Sequence, residues 1–456
     1  MISNTPYPTP SSSRPVWLRV GTLLDGTSTA PRRDAHVVYD IEKIRYVGDA
    51  GRTPPPDVLG PGQDRPDFEA PGATLLPGLT EAHAHLFLEG SELDADNRAA
   101  QLKRDPSELL AHADARLHRL IDLGVTAVRD AGDRNGVGLA LSHRYRDPSW
   151  KRPAFAKASA GGAAGPLSLQ TDSRRDITPV PYYESPGAAI HHRGRYGSFM
   201  GDPLENYPTP QACVQARVAA GADRIKLIPT GIINFQKGAV TTEPQMTTAE
   251  VAALAEAARA CRRQSFAHAS GDAGIDRVID GGVDSIEHGY FIREDQLLRI
   301  RDLRTAWVPT FAPVAAQVVH ADRMGWDETV RSHLRRILDG HAASLRRAHE
   351  FGVLIVAGSD AGSYGVPHGR GFLWELELME QAGLPPIAVI NAATGTGSGR
   401  LAFREEFGRI AAGCRSRLIL AHHSPLETVS NLSRERIVIF DGTPRELGPQ
   451  TDPAGL

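Results

Sequence analysis

Apolar and polar positions follow a period of two near both ends of the chain and a helical period between them. Trp17-Leu18-Arg19-Val20 alternates, and Leu24-Asp25-Gly26 marks a turn. His36-Val37-Val38-Tyr39 followed by Ile44-Arg45-Tyr46-Val47 predicts a hairpin. A Pro/Gly/Asp-rich link runs from Gly51 to Asp67, and the apolar run Thr74 to Leu86 follows. From there helices and strands take turns. Ser107 to Leu123 carries an apolar stripe of Leu109, Leu110, Ala113, Leu117, Leu120 and Ile121, with Ser107 as its predicted cap. Gly124 closes it, and Val125 to Asp130 is a strand. Helices are predicted over 210–221, 247–263, 271–281, 329–350, 373–382 and 385–393. The strands between them are 224–228, 265–268, 283–288, 306–311 and 353–360.

This alternation with short links predicts parallel strands in βα units. Seven such strands can be counted from Thr74, and an eighth is expected between Pro179 and His192. Eight units predict a closed (β/α)8 TIM-type barrel, an α/β fold. The alternative is an open doubly wound sheet, but no Gly-x-Gly-x-x-Gly follows any strand. After Gly408 the β pattern returns at 417–420 and 437–440. The two β-rich ends are therefore expected to pair into a small flanking β-sandwich. The predicted division is a flexible tail (1–15), the N-terminal half of the sandwich (16–73), the barrel (74–405) and the C-terminal half of the sandwich (406–456). Segment 154–179 has neither period and reads as a disordered insertion or as a mobile lid.

Composition narrows the partners. The chain has 456 residues, 41% hydrophobic and 23% charged, with a formal net charge of -3. That gives no footing for nucleic acid or an anionic membrane surface as partner, and a small-molecule substrate is expected only from the resemblance described below. Three scattered cysteines, Cys213, Cys261 and Cys414, match reduced thiols in a cytoplasmic protein. No apolar run approaches a membrane span, and residues 1–15 lack a signal-peptide core.

The chemistry gathers at the C-terminal ends of the predicted strands, where a barrel keeps its site. Strand one ends in His83 and His85, two apart and therefore on one face. Strand four carries Lys226, strand five His268, strand six Glu287-His288-Gly289 and strand eight Gly358-Ser359-Asp360-Ala361-Gly362. Singly, each has an ordinary reading: a satisfied histidine, a solvated lysine, a helix-capping aspartate. Together they suit divalent metal, since zinc takes neutral imidazoles and carboxylates. Two metals sharing a hydroxide need an anionic bridge. A desolvated Lys226 loses its proton readily and can add carbon dioxide to become a carbamate, which supplies that charge. Asp360 can ligate and also accept the proton of the attacking water.

The segments Leu76-Pro-Gly-Leu-Thr-Glu-Ala-His-Ala-His, Ile225-Lys226, Ala267-His-Ala-Ser-Gly, Gly282-Val-Asp-Ser-Ile-Glu-His-Gly and Gly358-Ser-Asp-Ala-Gly resemble the amidohydrolase superfamily. Within it the chain is most similar to the binuclear group of Xaa-Pro and Xaa-Arg dipeptidases and phenylurea and molinate hydrolases. The resemblance implies His83 and His85 on the more buried metal, carboxylated Lys226 as bridge, and His268 and His288 on the second metal. Asp360 is implied as ligand and acid/base. It implies two divalent ions, zinc by default, and a homo-oligomer. One departure concerns strand three, where relatives often carry Gly-Gly-His. Here Ala189-Ile-His-His-Arg-Gly-Arg-Tyr-Gly stands there, so Tyr196 replaces that His or His191 or His192 supplies it. Arg195 and Tyr196 can bind a carboxylate or form an exposed loop pair. Tyr364 and His368 lie in the last barrel loop, and His368 serves substrate contact or loop packing. Glu287 fits an orienting role behind the ligands.

The leading expectation is a metal-dependent hydrolase of an amide-type C–N bond in a dipeptide, an N-acyl amino acid or a related compound. Its nucleophile would be a metal-bridging hydroxide. The alternatives are a mononuclear deaminase or cyclic-amide (imidazolone) hydrolase, a hydrolase of neutral ureas or carbamates, and a non-catalytic scaffold. Deaminases usually place a Glu a few residues after the fifth-strand His, whereas Ala269-Ser-Gly-Asp follows His268.

Overall fold

The computed structural model describes residues 7–11, 14–49, 51–146, 153–154, 168–169, 179–401 and 407–449. Nearly all of segment 154–179, with its two readings, lies outside them, as do most of the expected tail and the 405/406 boundary.

The middle of the chain is an α/β assembly of parallel strands. Leu79–Ala84 pairs with Val125–Asp130, and that strand with Tyr182–Glu184. A second ladder runs through Gly201–Pro203, Ala189–His191, Ile225–Leu227, Ser265–Ala269, Ser285–His288 and Ala306–Val308. The strand expected between Pro179 and His192 is thus two short strands separated by Ser185–Ala188. This stretch still touches both sides: Val128 pairs with Tyr183, Asp223 N–H donates to Ser185 O at 2.9 Å, and Ile190 pairs with Leu227. Residues 353–360, expected as a strand, form no ladder of their own. The backbone there makes a bridge from Ile355 to Trp307 and a bridge from Ala361 to Ala84. Ala82 N–H donates to Ala357 O and Asp360 N–H to His83 O, at 3.1 and 2.8 Å, so this segment is hydrogen-bonded to the first strand and to Ala306–Val308.

Local rules explain most of the helices. Pro106–Leu120 begins with Pro at its first position, and Asp105, not the expected Ser107, caps it by accepting from Ser107 N–H. Gly124 ends the following turn at φ 78°, a conformation costly to a residue with a Cβ. Thr247 and Glu250 form a reciprocal capping box that starts Thr248–Ala260. Ala95–Gln101, Val137–Arg146 and Ala312–Val319 are additional helices that the apolar period does not announce.

Helices bury their apolar stripes against these strands. Ala82, Ala127, Tyr182, Ala306, Val308, Val356 and Phe407 form a separate buried cluster among the strands. The chain ends meet in one continuous seven-stranded sheet, where a two-sheet sandwich was expected. The reason is Phe68–Pro77, which pairs in parallel with Val16–Leu23 on one edge and antiparallel with Leu418–Ala421 on the other. Alternate side chains of this sheet fill a second core of Leu18, Val20, Val37, Leu418, Leu420 and Ile439. No helix among the described residues is long and apolar enough to cross a membrane.

Candidate metal centre

The four histidines, Lys226 and Asp360 come together at the C-terminal ends of the parallel strands. His83, His288 and Asp360 offer ligand atoms that all lie within 4.8 Å of one another. Asp360 Oδ1 stands 3.5 Å from Nε2 of His83 and 3.5 Å from Nε2 of His85. The His83 ring is 5.0 Å from that of His288, and His288 is 4.5 Å from His268, centroid to centroid. All four imidazoles are buried.

Each imidazole has one ring nitrogen occupied by the protein. His83 Nδ1 meets Glu287 Oε2 at 2.6 Å, and His85 Nδ1 meets Gly132 O at 3.0 Å. His288 Nδ1 meets Thr310 Oγ1 at 2.7 Å, and His268 Nε2 meets Gly231 O at 3.2 Å. That leaves Nε2 of His83, His85 and His288 and Nδ1 of His268 for a ligand. Such outer partners fix ring orientation and tautomer in metal sites. Burial, and next the positive charge of Lys226, hold His83 well below the usual imidazole range and His85 and His268 at about 3. His288 is depressed by burial and by neighbouring His268. The rings are therefore neutral, the form that binds a cation.

Lys226 is the anomaly of the cluster. Its Nζ is buried, lies 4.8 Å from the Phe266 ring centroid and has no hydrogen-bond partner among the described residues. Burial lowers its pKa to about 8, against the pull of the Glu287 charge. Burial pushes the Asp360 carboxyl up to about 7, while Ser363 Oγ at 2.9 Å and the charges of Lys226 and Arg98 draw it back. Backbone strain gathers in the same place: His288, Thr310 and Asp360 have φ of 68°, 52° and 54°. Each such residue costs on the order of 1–3 kcal/mol and is held by its surroundings.

Behind the candidate ligands stands a buried ionic frame. Glu287 accepts from Arg129 Nη2 at 2.8 Å on both oxygens and from Ser285 Oγ at 2.7 Å. Glu81 accepts the N–H groups of His83 and Ser359, both at 3.0 Å, and Ser359 Oγ at 2.6 Å. Glu81 thereby ties the first strand to the turn that presents Asp360. Burial lifts the Glu81 carboxyl to about 8. Glu287→Gln should leave Arg129 as a buried, unpaired cation, a loss of roughly 3–5 kcal/mol. It should also loosen His83 and weaken metal binding by roughly 10- to 100-fold. A thermal melt and a chelator competition measure both; a variant unchanged in both would remove Glu287 from this role.

The expected substrate residues separate. Tyr196 faces the cluster, its ring 5.3 Å from that of His268, and burial raises its hydroxyl pKa. His191 is buried but binds His192 O through Nδ1 at 2.7 Å. His192 turns to Glu205 and Glu250, at 2.7 and 3.2 Å. Arg195 is exposed and donates to Glu243 O at 2.6 Å, at the edge of a cleft of about 290 Å³ lined also by Tyr196, Ile232, Ile233 and Gln245. His368 Nε2–H donates to Leu88 O, 2.8 Å away, which matches loop packing. Tyr364 lies under the guanidinium of Arg98, 4.6 Å from ring centroid to Cζ. Arg98, Glu81, Arg129 and Thr310 were not singled out from sequence. A charged residue inside the apolar strand Val125–Asp130 was a usable signal for Arg129; Thr310 and Arg98 carried none.

A site of this composition on parallel strands is a candidate metal centre of a hydrolase. The sequence profile of the Amidohydrolase family matches residues 74–443. The chain belongs to the amidohydrolase family and is a hydrolase of amide-type C–N bonds. It is 23% identical over 441 residues to ochratoxinase of Aspergillus niger, covering 95% of this chain and 87% of that one. It is also similar to a Xaa-Pro dipeptidase solved with methionine in its active site, with a TM-score of 0.73, 25% identity, and 95% and 100% coverage of the two chains. Molinate hydrolase shares the fold, with a TM-score of 0.67 at 16% identity and 95% coverage of each chain.

Proposed function

We propose that the protein hydrolyses the amide bond between an acyl group and an amino acid, using two divalent metal ions, zinc by default, and a carboxylated Lys226. The observation that carries this reading is the cluster itself: four neutral imidazoles, each with one free nitrogen, around a buried amine without a partner. Those donors fit metal. His83 and His85 would hold one ion and His268 and His288 the other, with Asp360 as a further ligand. Bound metal supplies Lewis-acid polarisation of the carbonyl and a lowered pKa for water. Lys226 Nζ, uncharged, forms an N–C bond to carbon dioxide and releases a proton, which leaves an anion between the imidazoles. Asp360 accepts the proton of the attacking water and returns it to the leaving nitrogen. Residues 74–405 are assigned to a closed (β/α)8 barrel, in support of which stand the hydrogen bonds from 354–361 to the first and seventh strands. The ochratoxinase and dipeptidase relatives support the substrate class.

The test counts metal by mass spectrometry, with about two ions per chain expected, and screens dipeptides, N-acyl amino acids, their amides, and ureas. Free-acid N-acyl amino acids should be turned over best. A single metal per chain, or preference for neutral ureas, would replace this reading with a mononuclear or a urea-cleaving one.

A further inference from the structure

Arg98 stands on the short helix Ala95–Gln101 and is buried, with 7% of its surface exposed. Buried arginines in proteins are normally paired with anions. Arg116, Arg129, Arg217, Arg224 and Arg417 here follow that rule, each with a carboxylate partner. Arg98 does not: among the described residues no carboxylate forms an ion pair with it. Its Nη1 donates to Glu89 O at 3.0 Å and its Nη2 to Gly362 O, both neutral carbonyls, and its plane lies over Tyr364. Arg436 also lacks an ion pair, but it sits on the flanking sheet beside Asp122. Arg98 instead bonds the loop that follows Asp360. Gly362 is two residues beyond Asp360, and the Arg98 charge is felt at the carboxyl of Asp360 and the hydroxyl of Tyr196.

We infer that Arg98 is the specificity-determining residue that receives the α-carboxylate of the amino acid on the leaving side of the substrate. The inference rests on the amide-hydrolase reading above. Its geometric basis is the short spacing in an α-amino acid, where one carbon separates the cleaved nitrogen from the carboxylate. A group that protonates the nitrogen and a group that binds the carboxylate must then be neighbours. Arg98 bonds Gly362 O, two residues beyond Asp360, and its charge reaches the Asp360 carboxyl, whereas exposed Arg195 is bonded to Glu243 O in the cleft lined by Ile232 and Ile233. The carboxylate would give the buried cation its missing anion, and charge-assisted bonds of this kind are the strong ones. The free N–H groups of Arg98 and the Tyr196 hydroxyl are the donors.

The test measures binding of N-acetyl-L-phenylalanine and of its C-terminal amide by calorimetry, and release of acetate from each, with the metal-loaded wild type, Arg98→Met and Arg98→Lys. Wild type should favour the acid. Arg98→Met should reduce that acid-over-amide preference by roughly 10- to 150-fold, mainly through KM. Arg98→Lys should fall between, since an ammonium cannot form the planar fork. Equal weakening of acid and amide in the folded variants would make Arg98 a purely structural residue and overturn the inference. If circular dichroism shows that Arg98→Met does not fold, Arg98→Lys decides by the same criterion. Acid-selective binding with no acetate release from either compound would instead count against the amide-hydrolase reading and leave the role of Arg98 supported.

Discussion

Lys226→Ala should strip the protein of bound metal and of nearly all turnover. The lysine is buried, as are His83, His85, His268 and His288, and its charge depresses all four of those rings. As an ammonium it would repel any cation placed there; as an anion it would hold one. Burial already brings its pKa to about 8, so the neutral amine is accessible near neutrality. Removal of an outer partner of a metal ligand costs roughly 10–100-fold in metal affinity or activity. Removal of a shared anionic ligand should exceed that, with loss of more than about 100-fold in kcat. Because alanine leaves a gap the size of the lysine stem, a short carboxylic acid such as propionate should restore part of the metal and part of the rate. Metal content, kcat and the propionate response are the three readouts. An alanine variant that keeps two metals and full turnover would sink the binuclear reading.

The reason the convergence of these side chains could be read from sequence is geometric. A parallel strand has a fixed period, so His83 and His85 share a face, and successive βα units bring every strand end to the same side. Lys226, His268 and His288 needed only their strands to be located, while Asp360 sits in a segment tied to the first strand by backbone hydrogen bonds. Residues that act across elements had no such signature. Thr310 reaches His288 because a strained turn at φ 52° follows Ala306–Val308. Arg98 arrives from a helix too short to show an apolar period. Loop residues were legible as a region, not individually: Tyr196 turns inward while His192, four positions earlier, pairs with Glu205. The flanking sheet was legible as strands but not as one layer, since the pairing of Leu418–Ala421 with Phe68–Pro77 joins residues about 350 positions apart.

Asp360→Asn separates proton transfer from metal binding. The four imidazoles and Lys226 remain in the variant, so most of the metal should stay. The amide of Asn cannot take a proton from water or deliver one to the leaving nitrogen. General acid–base catalysis contributes roughly 10²–10⁴-fold, and kcat should fall by that factor. The pH profile should change as well. A carboxyl near this position is pushed up to about 7 by burial and drawn down by Lys226 and Arg98, and metal cations would draw it further in the same direction. As a base it works only when deprotonated, so wild-type kcat should rise with pH through its pKa and then level. In the Asn variant that rising limb should disappear, leaving a low rate whose pH dependence belongs to other groups. Loss of the limb with metal retained assigns the proton to Asp360. A variant within a few-fold of wild type, or one that keeps the same limb, would place the acid/base elsewhere, with buried Glu81, also lifted by its surroundings to about 8, the next carboxyl to replace.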